Sequence, residues 1–139
     1  MSTRATITFV DKDTELVKLN YHHDGYIEGL GYDIAKWFLK KRIGNGIGFD
    51  DYNDDFCNGV GCMVAKFIHD YKTEPGELYV IPLSSENKWY DYNYRVIVND
   101  EGKKCSLDEI TKIIVTNWDK NEPIFRGSPG ELLQFKEGN

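Results

Sequence analysis

Residues 20–31 read Asn20-Tyr21-His22-His23-Asp24-Gly25-Tyr26-Ile27-Glu28-Gly29-Leu30-Gly31. Histidine, carboxylate and tyrosine side chains crowd this short stretch, and these types ligate metals, move protons or recognise a base. A metal centre is the sharpest of these chemistries. Adjacent residues leaving a strand point to opposite faces, so His22 and His23 are expected to diverge. The remaining histidine, His69, falls in a second helical segment, and no H-E-x-x-H spacing exists. No metal site is therefore expected.

Covalent catalysis has no better footing. Ser84-Ser85 lacks the G-x-S-x-G elbow, and Cys57, Cys62 and Cys105 have no local activating context. Those cysteines are odd in number and form no C-x-x-C pair, which reads as free thiols in a reducing cytosol. The run Asp50-Asp51-Tyr52-Asn53-Asp54-Asp55 lacks the glycine and glutamate of a calcium loop. A histidine-dependent phosphodiesterase would need two positioned histidines, or one histidine beside a cation. A plainer reading makes HHDGY a strand-to-helix connection, with Asp24-Gly25 turning at φ > 0 on the glycine. That reading explains the turn and leaves the crowd of rings beside it unexplained. Recognition surfaces use such residues, because rings stack on bases while polar edges orient them.

The elements that must position these residues follow from periodicity. Arg4–Val10 and Leu16–Tyr21 alternate in hydrophobicity around the turn residues Asp11–Thr14, which predicts a β-hairpin. Leu30, Ile34, Trp37 and Phe38 recur at helical spacing, as do Val60, Val64, Phe67 and Tyr71, a helix that Pro75-Gly76 must end. GLGYDIAKWF and GVGCMVAKFI align without a gap, which reads as two helices with similar packing faces. Paired glycines at each start leave room for a backbone or a phosphate to approach. Strands are expected at Glu77–Leu83, Tyr90–Val98 and Lys112–Trp118. Ser128-Pro129-Gly130-Glu131 supplies an N-cap serine, a first-turn proline and a capping-box glutamate for a short C-terminal helix. The expectation is one α+β domain over residues 1–139, an antiparallel β-sheet flanked by two amphipathic helices and closed by that short helix.

The formal net charge of −6 disfavours direct nucleic-acid binding, which needs a clustered basic footprint. No apolar run reaches the length of a membrane span, so neither membrane insertion nor a leader is expected. Three arginines stand out from a lysine-rich background. The planar fork of arginine suits bidentate phosphate binding, with a surface ion pair as the plain alternative. The tyrosine-rich strand offers a similar choice between core aromatics and a base shelf.

STRATITFVD at the start, HHDGYIEGLG leading into the first helix, and IFRGSPGELLQF near the end together resemble a type of small phage protein. In that type a hairpin runs into H-x-DGY-x-EG-x-G, and a G-[ST]-P-x-E-L/F capped helix closes the chain. The resemblance is to the phage anti-Thoeris sponge family and touches about a third of the sequence. It implies a homo-oligomer in the cytoplasm of an infected bacterium. Such a protein binds glycocyclic ADP-ribose, and in some members cyclic oligonucleotides, without cleaving them. No cofactor and no catalytic residue are expected.

Residue chemistry then assigns roles for such a ligand. Arg4, Arg95 and Arg126 would hold phosphate, while His22, Tyr26, Trp89 and Tyr92 would stack on or hydrogen-bond the base and ribose. Asp24 with Gly25 would shape the loop, and Gly29 and Gly31 would open a helix N-terminus. Two rivals remain. An acidic protein–protein inhibitor or DNA mimic would expose Asp50–Asp55 and Asp91 together, and a nucleotide-cleaving enzyme would centre on His22, His23 and His69.

Overall fold

A computed structural model describes residues 3–120 and 122–138; Ser2, the first residue of the STRATITFVD stretch, lies outside them. The expected hairpin forms from β1 (Ala5–Asp11) and β2 (Thr14–Tyr21), with a bulge between Phe9 and Val10. Then come α1 (Tyr32–Leu39), β3 (Arg42–Gly44), β4 (Phe56–Asn58) and α2 (Gly59–Tyr71). The second half holds β5 (Leu78–Ile81), β6 (Tyr92–Val98), β7 (Cys105–Ser106), α3 (Leu107–Ile110), β8 (Thr111–Asn117), β9 (Phe125–Gly127) and α4 (Pro129–Gln134). Ser128 Oγ accepts from the Glu131 amide at 3.1 Å and Glu131 Oε1 accepts from the Ser128 amide at 2.9 Å, so the capping box forms as its sequence requires.

The class is α+β, but the sheet is mixed rather than antiparallel. Among the described residues six strands run in the order β5-β2-β1-β6-β8-β9, and a small sheet runs β4-β3-β7. The pairs β1–β6 and β3–β4 are parallel. The cause lies in the connection after β5. That strand pairs antiparallel with β2, so it already runs with β1, and residues 82–91 must carry the chain back across β2 and β1 before β6 begins. We call this crossing segment the strap. Local alternation reveals a strand but says nothing of the direction in which a distant strand meets it.

One face of the large sheet is the core. Ile7, Phe9, Leu19, Val96 and Val115 meet Ile34 and Phe38 of α1, Met63 and Phe67 of α2, and Leu132 of α4, all fully buried. Phe67 sits with its ring centroid 5.1 Å from Phe9 and 5.2 Å from Trp37, in edge-to-face arrangements that favour aromatic pairs. Trp37 Nε1 donates to Asp70 Oδ2 at 2.8 Å, tying α1 to α2. The opposite face carries Thr6, Thr8, Lys18, Asn93, Arg95 and Thr116, by the period of two along each strand. The strap covers part of that polar face.

Candidate functional site

A cleft of about 670 Å³ opens where β2 ends, bounded by the start of β1, the approach to β5 and the end of the strap. Arg4, His22 and Trp89 line it, three of the residues assigned to a ligand from their chemistry alone. Tyr79, His23, Glu74, Glu77 and Asp91 complete most of the wall. Trp89 is 70% exposed, with Lys88 Nζ 5.2 Å from its ring centroid. The Tyr79 ring lies 5.0 Å from that of His22 and has Lys72 Nζ 5.3 Å from its centroid.

His22 and His23 both line this cleft, which corrects the expected divergence. β2 ends at Tyr21, so both residues leave the alternating geometry on which that expectation rested. The His22 amide donates to the Glu77 carbonyl at 3.0 Å, and His23 Nε2 lies 3.4 Å from Glu77 Oε1. Asn20 Nδ2 donates to His22 Nε2 at 2.8 Å, which leaves the ring proton on Nδ1. Burial, with help from Arg4 and then His23, lowers the pKa of His22 below its ordinary value. His22 is therefore neutral near pH 7 and offers a hydrogen bond rather than a charge. The Arg4 amide donates to Asp91 Oδ2 at 3.0 Å, and the Arg4 carbonyl accepts from the Asp91 and Tyr92 amides. These bonds fix the backbone of Arg4, the one arginine or lysine among the described residues that line the cleft.

The connection behind the cleft is built differently from its sequence expectation. The residue at positive φ is Asp24, at 49°, and not Gly25. Aspartate tolerates this region, and the glycine serves another need. A Cβ on Gly25 would lie 2.8 Å from Ala5 Cβ, so this position must be bare for the connection to cross β1. The Tyr94 hydroxyl donates to the buried Gly25 carbonyl at 2.7 Å and fastens the connection to β6. Residues 27–31 make a single π-helical turn before α1, and the Leu30 amide donates to the Asp24 carbonyl at 2.8 Å. Gly29 and Gly31 do not open a helix end to a ligand. A Cβ on Gly29 would run into the Asp24 carbonyl, and one on Gly31 would lie 3.1 Å from the Tyr94 hydroxyl. The echo between the two helix starts does not extend to the glycines' work, because Gly59 adopts φ +84° with open space around it.

The other assigned residues disperse. Tyr26 is partly exposed outside the cleft lining. The Tyr92 hydroxyl donates to the Glu137 carboxylate at 2.7 Å, and burial with that carboxylate pushes its ionisation far up. Arg95 lies on the polar face of β6, paired with Glu15, and Arg126 is exposed on the edge strand β9. His69 sits on α2 against Asp70 and does not join the cleft. Asp91 lines the cleft, whereas Asp50–Asp55 follow Gly48 in the loop between β3 and β4. There Asp51 is held by Lys104 Nζ at 2.6 Å, a bond that lowers its pKa, while Phe49 and Tyr52 stand 96% and 80% exposed.

Sequence reasoning missed Tyr79, Glu74 and Glu77. Tyr79 carried a usable signal, an aromatic on a short strand next to a Pro-Gly turn. The glutamates carried none. Among the described residues no group of three or more histidine, cysteine or acidic side chains is placed to hold a metal, and no helix is long and apolar enough to cross a membrane. No protein-family model matches the chain, and no curated protein or solved structure matches it significantly.

Proposed function

We propose that the protein binds a small nucleotide-derived signal in this cleft and sequesters it without cleaving it. The observation that carries the reading is the convergence of Arg4 and His22, at the two open ends of the β1–β2 hairpin, with Trp89 from the strap on one cleft. Trp89 offers a shelf for a base, and stacking on an exposed ring is worth roughly 1–3 kcal/mol. Arg4 offers a fork for phosphate. Glu74 and Glu77 accept hydrogen bonds from ribose hydroxyls, which an all-cationic wall would not do. Glycocyclic ADP-ribose is the first candidate, through the resemblance of the HHDGYIEGLG and GSPGEL segments to the anti-Thoeris sponges. A homo-oligomer acting in the host cytoplasm belongs to the same proposal.

A second reading has a specific observation behind it. His22 and His23 share the cleft with Arg4, two histidines beside a cation, the set a metal-independent phosphodiesterase would use. One experiment separates the two. The pure protein is incubated with glycocyclic ADP-ribose and a panel of cyclic oligonucleotides, freed of unbound ligand and heated, and the released material is analysed. One intact ligand at near-stoichiometric yield supports sequestration. A cleaved product in the released or the unbound fraction assigns the cleft to catalysis, and retention of nothing with the unbound ligands intact rejects both readings for this panel.

A further inference from the structure

Lys18, Thr8 and Arg95 stand side by side on β2, β1 and β6, because Thr8 pairs in register with both of the others. Neighbouring strands lie about 4.8 Å apart, so the two cationic side chains rise on either side of a short hydroxyl residue. The next row is polar and uncharged, with Thr6, Asn93 and Thr116 side by side. Above these rows passes the strap, and between strap and sheet lies a cavity of about 290 Å³. This is close to the lower end of small-molecule pockets, roughly 300 Å³.

The strap does not cover the sheet as a hydrophobic layer would. Its residues 84–88 read Ser-Ser-Glu-Asn-Lys, and Leu83 is its main apolar contribution to the cavity. Beneath it Thr6, Lys18 and Asn93 are at least nine-tenths buried. Lys18 Nζ donates to the Ser85 carbonyl and to Asn87 Oδ1, both at 2.6 Å, and burial lowers its pKa. The fold thus buries an ammonium group and an amide around a space lined mostly by polar side chains, with little apolar area gained in return. Within the lining Lys18 and Arg95 face one carboxylate, Glu15, so the site is locally positive in a chain of net charge −6. Arginine paired through one edge of its fork still has N–H groups to give.

We propose that the space between strap and sheet is a second ligand site, separate from the cleft, for a small oxyanion of the carboxylate or phosphate class. The anion lies over Thr8 between Lys18 and Arg95, with the Thr8 hydroxyl as the floor, since the Thr6 and Thr116 hydroxyls donate to Asn93 Oδ1 and to the Asn93 carbonyl. This gives Arg95 an anion-binding role that the cleft cannot, because Arg95 is not part of the cleft wall. The inference does not rest on nucleotide binding at the cleft.

The test titrates sodium phosphate and, separately, sodium succinate into the protein by calorimetry, with chloride holding the ionic strength constant so that general screening drops out. Wild type, Arg95→Gln, Thr8→Val and Arg4→Gln are compared. Thr8→Val keeps the shape and strand preference of the floor, so it reports on the site even if Arg95→Gln folds poorly. The expected result is saturable binding of one anion to wild type and to Arg4→Gln, weakened at least about tenfold in Arg95→Gln and Thr8→Val. Whichever anion saturates names the class. No saturation with either anion, or binding lost in Arg4→Gln and kept in Arg95→Gln, overturns the proposal.

Discussion

Replacing Tyr94 with phenylalanine removes one oxygen atom from the interior and tests how the cleft wall is held. The Tyr94 side chain is 1% exposed, and its hydroxyl reaches across to the buried Gly25 carbonyl at 2.7 Å. Phenylalanine fills nearly the same volume, so packing loss is small and the missing hydrogen bond dominates. A buried carbonyl left without its donor costs roughly 1–3 kcal/mol. With an unfolding entropy of about 2.1 cal/mol/K per residue, a chain of this length loses about 3 °C of Tm per kcal/mol. Tyr94→Phe is therefore expected to melt about 3–10 °C below wild type, with an unchanged denaturant m-value. Burial drives the ionisation of Tyr94 well above the ordinary tyrosine value, so the hydroxyl remains a donor and the difference is flat across neutral pH. Gly25 lies two residues from the His22-His23 pair, so affinity for the ligand proposed for the cleft is expected to fall along with stability. Thermal and urea unfolding of the two proteins, followed by circular dichroism, make the measurement. A Tm within a degree of wild type would mean that the hydroxyl does not fasten the connection, and the account of the cleft wall would fail with it.

Three other perturbations follow from the same contacts. Lys18→Met removes the donor from Ser85 O and Asn87 Oδ1, each a bond to a charged group worth about 1.5–3 kcal/mol at most; amide exchange across residues 83–90 should accelerate while the core of β1 and β6 stays protected. His22 should titrate below 6.5 by NMR. Because its folded pKa lies below the unfolded one, its contribution to stability is complete above pH 6.5 and is lost as pH falls through the folded pKa, so stability decreases on acidification in that window and His22→Gln flattens the dependence. Ser128→Ala removes the oxygen that accepts the Glu131 amide and should cost about 1 kcal/mol in urea unfolding, whereas an unaltered midpoint would mean that packing alone holds α4.

How much of this was legible depends on the range of the interaction. The hairpin, α1, α2 and the capped C-terminal helix are written in local pattern, since alternation, 3.6-residue spacing and S-P-G-E each act over a few residues. The parallel β1–β6 pair is not, because no local feature of Tyr92–Val98 encodes which strand it meets 87 residues away, Ala5 against Tyr92. The histidines illustrate the same limit. Their divergence holds only inside a strand, and β2 stops at Tyr21, before either histidine. From sequence, Gly25 is expected to supply a positive φ, and Gly29 and Gly31 room for a backbone or a phosphate, whereas the space at Gly25, Gly29 and Gly31 is filled by Ala5, Asp24 and Tyr94 of this chain.

The parallel pairing also explains why the molecule has a cleft where it does. If β5 were followed by an antiparallel hairpin, the chain would stay at the sheet edge, and Trp89 would have no route to Arg4. Because β6 runs with β1, the chain must return over the polar face and deliver Trp89 and Asp91 to the end of the sheet where β1 begins and β2 ends. That end already carries Arg4 before β1 and His22 after β2, since a hairpin places its two open termini together. The cleft and the cavity beneath the strap are thus two consequences of one crossover. A change that frees the strap should disturb both, whereas Arg4→Gln and Arg95→Gln should each disturb only its own.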